Sequence, residues 1–159
     1  MKVVSNTTPI ISLSSIKRIE ILKELFNEIH IPRSVYKEIK TKNLFGYKEI
    51  DSDWFVVHDI KGEKYLGFLL NELDIGEAET IVLAKEIDAD ILIIDERIGY
   101  NIAKSQDIFA IGTLSVLLIA KEKGIIQNVK PLLDKMLQKG RWYSEKTYKR
   151  FLEKIGEKS

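Results

Sequence analysis

Residues 74–97, DIGEAETIVLAKEIDADILIIDER, decide the fold. Ala78, Ile81, Val82 and Ala84 recur at three- and four-residue steps, which predicts an amphipathic helix over Ile75–Ile87 with one buried face. Asp74 is its natural N-cap, and Glu77 follows at the spacing of a capping box. Ile91–Ile94 is then an unbroken apolar run, as expected of a strand covered on both faces of a parallel sheet. The run stops at Asp95-Glu96-Arg97. In open α/β sheets ligands bind beyond the carboxyl ends of strands, so Asp95 either belongs to a site or simply caps the helix that begins near Arg97.

Working towards the N-terminus, Lys61–Leu73 reads as a helix interrupted at Gly67, and Trp54–Val57 as a strand. Residues 41–53 read as a loop or short helix. Pro32 opens a helix on which Val35 and Ile39 face the core, with Glu38 beside them, either on the solvated rim or in a site. Glu28–Ile31 is a short strand, and Ile16–Phe26 a helix with a broad apolar stripe. Lys2–Ser5 is a strand stopped by Asn6-Thr7-Thr8-Pro9, whose polar side chains can bond the backbone. Towards the C-terminus come a helix Ile98–Lys104, a strand Asp107–Ile111 and a helix Leu114–Lys123. Helices at Asn128–Gln138 and Ser144–Ile155 follow, with Gly140 suited to a helix end. Trp142 and Tyr143 either pack the last helix or offer a contact surface. Strands separated by helices imply βαβ crossovers and an α/β fold.

The 159 residues suit one domain, with residues 128–159 a basic helical extension packed on it. The absence of cysteine excludes disulfides, thiolate zinc sites and a cysteine nucleophile. His30 and His58 lie far apart in the chain and read as ordinary. No stretch is long and apolar enough for a membrane span and no signal peptide is present, so the expected location is the cytoplasm. The net charge of +1 is unevenly spread: Lys121–Ser159 carries +6 and residues 1–120 about −5. An acidic body with a basic tail suits a site that holds cations beside a flank that attracts phosphates. There is no phosphate-binding GxxxxGK[ST] loop, no GxGxxG and no serine nucleophile elbow.

Asn6, Glu38, Glu77 and Asp95 all fall at carboxyl ends of strands or on helix faces above them. Carboxylates that converge repel unless a cation holds them, and oxygen ligands select a hard cation, Mg²⁺ or Mn²⁺. At this point VVSNTTPIISL (3–13), IPRSVYKEI (31–39), LDIGEAETIVLA (73–84), ADILIIDER (89–97) and AIGTLSVLLIAKEKGII (110–126) can be taken together. With the tail GRWYSEKTYKRFLEKIGE, they cover nearly the whole chain. In that order and spacing they resemble the PIN domain, specifically the DUF3368-type branch of short prokaryotic PIN-like proteins related to VapC toxins.

The resemblance implies a three-layer α/β/α fold around a central parallel sheet of four to five strands. It also implies a Mg²⁺- or Mn²⁺-dependent single-stranded endoribonuclease, often a homodimer and often held by an antitoxin. Carried over residue by residue, the family's second acid falls on Glu38 and its third on Glu77. Glu79, two positions on, competes for that role, but residues two apart on a helix point to nearly opposite sides. The fourth acid falls on Asp95, with Glu96 its neighbour, and Thr8 or Thr113 would support the site. The first acid is the departure, because Asn6 stands where the family has Asp; an amide offers a metal a carbonyl oxygen without a charge. Lys146, Lys149 and Arg150 would steer an RNA backbone. The alternative reading, which Asn6 favours, is a non-catalytic member that binds nucleic acid or a protein. A phosphoacceptor receiver needs an acidic pair after the first strand, which VVSNTT lacks.

Overall fold

Five short strands, β1 (Val3–Ser5), β2 (Ile29–Pro32), β3 (Phe55–His58), β4 (Ile91–Ile93) and β5 (Ala110–Ile111), form one sheet in the order β3-β2-β1-β4-β5, every pair parallel. The structure, a computed structural model, describes residues 1–158, so Ser159, the last residue of the expected domain and of its 128–159 extension, lies outside the described residues.

Alternation along the strands feeds two cores. Val3, Ile91 and Ile93 point to one face, Val4, Leu92 and Ile94 to the other, and all six are buried. The first face is covered by α1 (Thr7–Ser15), α2 (Glu20–Phe26), α7 (Thr113–Glu122), α8 (Lys130–Gln138) and α9 (Glu145–Lys154). The second is covered by α4 (Glu63–Leu69), α5 (Ile75–Glu86) and α6 (Arg97–Ser105), while α3 (Arg33–Thr41) packs beside α5 and sends Val35 and Ile39 into the first core. This is the expected three-layer α/β/α architecture. From β1 the chain builds outward through β2 and β3, then returns to β1's other edge for β4 and β5. The strand order therefore reverses between β1 and β4, and the carboxyl ends at such a reversal are where open α/β sheets bind their ligands.

Local signals place most elements to within a few residues, and the departures have identifiable causes. The helix expected at Ile16–Phe26 begins only at Glu20: α1 runs on to Ser15, and Lys17, at φ 59°, turns the chain before α2. The strand expected from Asp107 pairs only from Ala110, because Asp107 is left-handed and Ile108 N donates to Ala103 O (3.0 Å), closing α6. Residues 41–53 contain one 3-10 turn, Glu49–Asp51.

The two histidines, far apart in the chain, are in contact. The register pairs His30 with Val56, so His58 lies two residues further on the same face of the neighbouring strand. His30 Nδ1 and His58 Nε2 are 2.7 Å apart, and Glu28 Oε1 is 3.1 Å from His30 Nε2. Burial holds both imidazoles below their ordinary pKa. No helix among the described residues is long and apolar enough to cross a membrane.

Candidate active site

β1 ends where Asn6 N donates to Ile93 O (2.9 Å), and Asn6 then occupies the N-cap of α1 with an extended backbone. Its side chain makes no capping bond. The side chain is 95% shielded and its oxygen turns towards the start of α5. A Cβ placed on Gly76 would lie 3.4 Å from Glu38 Oε2, 3.6 Å from Asp74 Oδ1 and 3.9 Å from Asn6 Oδ1. Three side-chain oxygens, from the end of β1, from α3 and from the start of α5, thus converge around one backbone position that carries no side chain. Thr80 Oγ1 donates to Gly76 O (2.6 Å) and approaches Asn6 Oδ1 (3.5 Å), tying the amide to α5.

Asp74 was identified from sequence only as a helix cap, and it does cap α5. Its Oδ1 accepts from Glu77 N (2.8 Å) while Glu77 Oε1 accepts from Asp74 N (3.2 Å), a complete capping box. The same oxygen of Asp74 faces Glu38 and Asn6, so the cap doubles as a member of the cluster. Glu77's carboxyl is pushed up to about 7. Burial is the main cause; the Asp74 backbone N–H pulls the other way, and the carboxylates of Asp74 and Glu96 add to the rise.

Asp95 lies just past β4 and does not cap the following helix. Glu96 does that, accepting from Ile98 N (3.0 Å) and Gly99 N (2.6 Å). The adjacency of two acids hides this division in the sequence. Asp95 is instead gripped by the start of α7: Thr113 N donates to Oδ1 (2.8 Å) and Thr113 Oγ1 to Oδ2 (2.5 Å). A Cβ on Gly112 would stand 2.7 Å from Asp95 Oδ1, so only glycine lets the carboxylate reach that N–H. Arg141, returning from beyond α8, brings Nη2 to 3.6 Å from Asp95 Oδ2 and lies 4.5 Å from the Tyr143 ring centre. Burial, with the charge of Asp95 behind it, pushes the Tyr143 hydroxyl up to about 12. Arg141 Nε and Tyr143 Oη are buried with no hydrogen-bond partner.

Glu79 faces α3, where its Oε1 accepts from Ser34 N (3.2 Å), and it lines a surface groove with Glu38. Thr8 lines a groove beside Arg141 and Trp142. Lys146, Lys149 and Arg150 lie on the exposed side of α9, with Lys149 paired to Glu145 (2.9 Å). Arg141 and Tyr143 were missed as site neighbours; nothing local in GRWY indicates that the chain doubles back onto Asp95.

The oxygen-only donors around Gly76 suit a hard cation in kind. They are two carboxylates and an amide, and no set of three His, Cys, Asp or Glu side chains among the described residues is grouped to hold a metal ion. The Glu77 carboxyl is raised chiefly by its burial, with the charges of Asp74 and Glu96 adding less.

A parallel α/β/α sandwich with acidic groups gathered at the strand-order reversal is the plan of a PIN-type nuclease fold. The family model described as PIN domain (DUF3368) matches residues 2–157, and the chain belongs to that family. No curated protein and no solved structure matches the chain.

Proposed function

We propose that this chain is a single-domain, Mg²⁺- or Mn²⁺-dependent endoribonuclease acting on single-stranded RNA. The observation that carries the reading is the convergence of Glu38 Oε2, Asp74 Oδ1 and Asn6 Oδ1 around Gly76, at the strand-order reversal between β1 and β4 of a PIN-family fold. Glu38, Asp74 and Asn6 would hold the cation, with Glu77 and Asp95 completing the acidic surround. The cation supplies charge neutralisation at the phosphodiester and an acidified water. Thr113 fixes the Asp95 carboxylate, and the Glu77–Asp74 capping box fixes the start of α5, so the donors are pre-positioned. Lys146, Lys149 and Arg150 add long-range attraction for the backbone. By resemblance to the VapC-related branch, the chain would work in the cytoplasm as a homodimer and as the toxin of a toxin–antitoxin pair.

Asn6 supports a second reading, a member that binds RNA or a protein partner without cutting. Cleavage of a mixed single-stranded RNA pool with Mn²⁺, Mg²⁺ or EDTA separates the two. The nuclease reading expects cutting by the unaltered chain, stopped by EDTA and reduced on the order of 10²-fold or more in Asp95→Ala. Cutting by Asn6→Asp alone would establish a site switched off at one side chain. Cutting by neither chain would sink the nuclease reading.

A further inference from the structure

Three exposed aromatic side chains and a run of cations lie along α1 on a surface that the acidic cluster does not use, and only Arg141, at one end, reaches Asp95. Trp142 is 76% exposed, Phe45 48% and Tyr47 42%. Trp142 lines a shallow groove of about 460 Å³ with Arg141 and Lys139 against α1. Phe45 and Tyr47 line a second, of about 570 Å³, with Lys17, Lys48 and again Lys139. Ile11, Ser15 and Lys139 belong to both, so the grooves form one strip along α1. One end is Arg141, 3.6 Å from Asp95.

The strip is built to hold its aromatics outward. Gly46, at φ 98°, lets the loop lie on α1: a Cβ there would stand 3.1 Å from Ile10 Cγ2 and 3.2 Å from Ser14 Oγ. Lys40 Nζ donates to Tyr47 O (2.6 Å) and sits 3.9 Å from the Tyr47 ring centre, fixing that side chain. Along the strip four cations face one carboxylate, Glu49, and none of Lys17, Lys48 and Lys139 is in an ion pair among the described residues. Outward aromatics interleaved with unpaired cations are what single-stranded nucleic acid requires, because bases stack on rings while cations track phosphates. A protein partner would want these rings in a closed apolar patch; here charge breaks the patch up.

We propose that single-stranded RNA is held along this strip. Its bases stack on Trp142, Phe45 and Tyr47, its backbone follows Lys139, Lys48 and Lys17, and Arg141 hands a phosphate to the acidic cluster. The Arg141 side chain is 23% exposed beside Asp95, which leaves the guanidinium open to a phosphate oxygen at the end of the strip. The proposal rests on the ribonuclease reading and assigns its substrate path to a face other than that of Lys146, Lys149 and Arg150.

The test is fluorescence anisotropy of a short, unstructured, fluorescein-labelled single-stranded RNA in EDTA, alongside cleavage of the same RNA with Mn²⁺. Trp142→Ala and Phe45→Ala each weaken binding about five-fold or more, the low end for a lost base stack. Trp142→Phe retains most of the affinity. Lys48→Ala combined with Lys139→Ala lowers the slope of log K against log salt by about 0.7 for each lost phosphate contact. Phe68→Ala, on a remote exposed position, binds as the unaltered chain does. If the unaltered chain binds and cuts RNA while Trp142→Ala and Phe45→Ala bind it equally well, the strip is overturned and the nuclease reading stands. If the unaltered chain neither binds nor cuts, both fall.

Discussion

Restoring a carboxylate with Asn6→Asp tests the convergence of the acidic oxygens without relying on catalysis. The side chain is almost wholly buried, and its oxygen shares the neighbourhood of Gly76 with Glu38 Oε2 and Asp74 Oδ1. Two unit charges about 5 Å apart at an effective dielectric of about 20 repel by roughly 3 kcal/mol. Glu38 and Asp74 are partly solvated, so the combined penalty at neutral pH should be about 2–4 kcal/mol rather than the full sum. For a chain of this length that lowers Tm in EDTA by roughly 5–15 °C. The penalty exists only while the new carboxyl is ionised, and burial among acids raises its pKa, so the loss shrinks as the pH falls. Millimolar Mn²⁺ offsets most of the loss, because a third charged oxygen now favours the cation; saturation at about 100 times Kd returns roughly 2.7 kcal/mol. The assay is thermal unfolding followed by circular dichroism, in EDTA and in Mn²⁺, for both chains. Equal Tm values in EDTA and equal Mn²⁺ shifts would refute the placement of Asn6 among the acids.

Thr113→Val keeps shape but removes the hydroxyl that donates to Asp95 Oδ2, leaving one backbone N–H on the other oxygen. RNA cleavage should fall roughly 10- to 100-fold, with a fold loss of about 1–2 kcal/mol in urea titration. Gly76→Ala puts a methyl at ordinary contact distance from the three oxygens. It should stabilise α5 by about 0.5–1 kcal/mol in EDTA while abolishing the Mn²⁺ shift of Tm, because the methyl fills the point on which the donors converge. Glu157, with its side chain 8% exposed, accepts 2.8 Å bonds from Lys121 Nζ, Val129 N and Lys130 N. Burial alone would raise its pKa; these donors outweigh burial and lower it. Its stabilisation is therefore present above the ordinary glutamate pKa of about 4.3 and lost as pH falls through the lowered value. Glu157→Gln should cost about 2–3 kcal/mol at pH 7, and urea titrations across pH should show the gap closing in acid.

The α/β class and most elements were legible in short-range pattern, while the three-layer order came from the family resemblance: Asp74 with Glu77 marks the start of α5, and the unbroken Ile91–Ile94 run marks a strand buried on both faces. These signals are legible because the responsible atoms lie within a few residues of one another along the chain. Single left-handed residues such as Lys17 and Asp107 escaped, since one backbone dihedral leaves hydrophobic periodicity intact. The meeting of Asn6 with Glu38 followed from strand ends and family resemblance, whereas Asp74's place beside them was concealed by its legible role as a cap. Only the tertiary structure decided that Glu96 caps α6 so that Asp95 turns to Thr113, and that His30 meets His58 across two strands. It alone brought Arg141 back onto Asp95 and aligned Trp142 with Phe45 along α1. Those contacts join residues separated by tens of positions, and their geometry is set by how whole layers pack, which no local pattern of residues encodes.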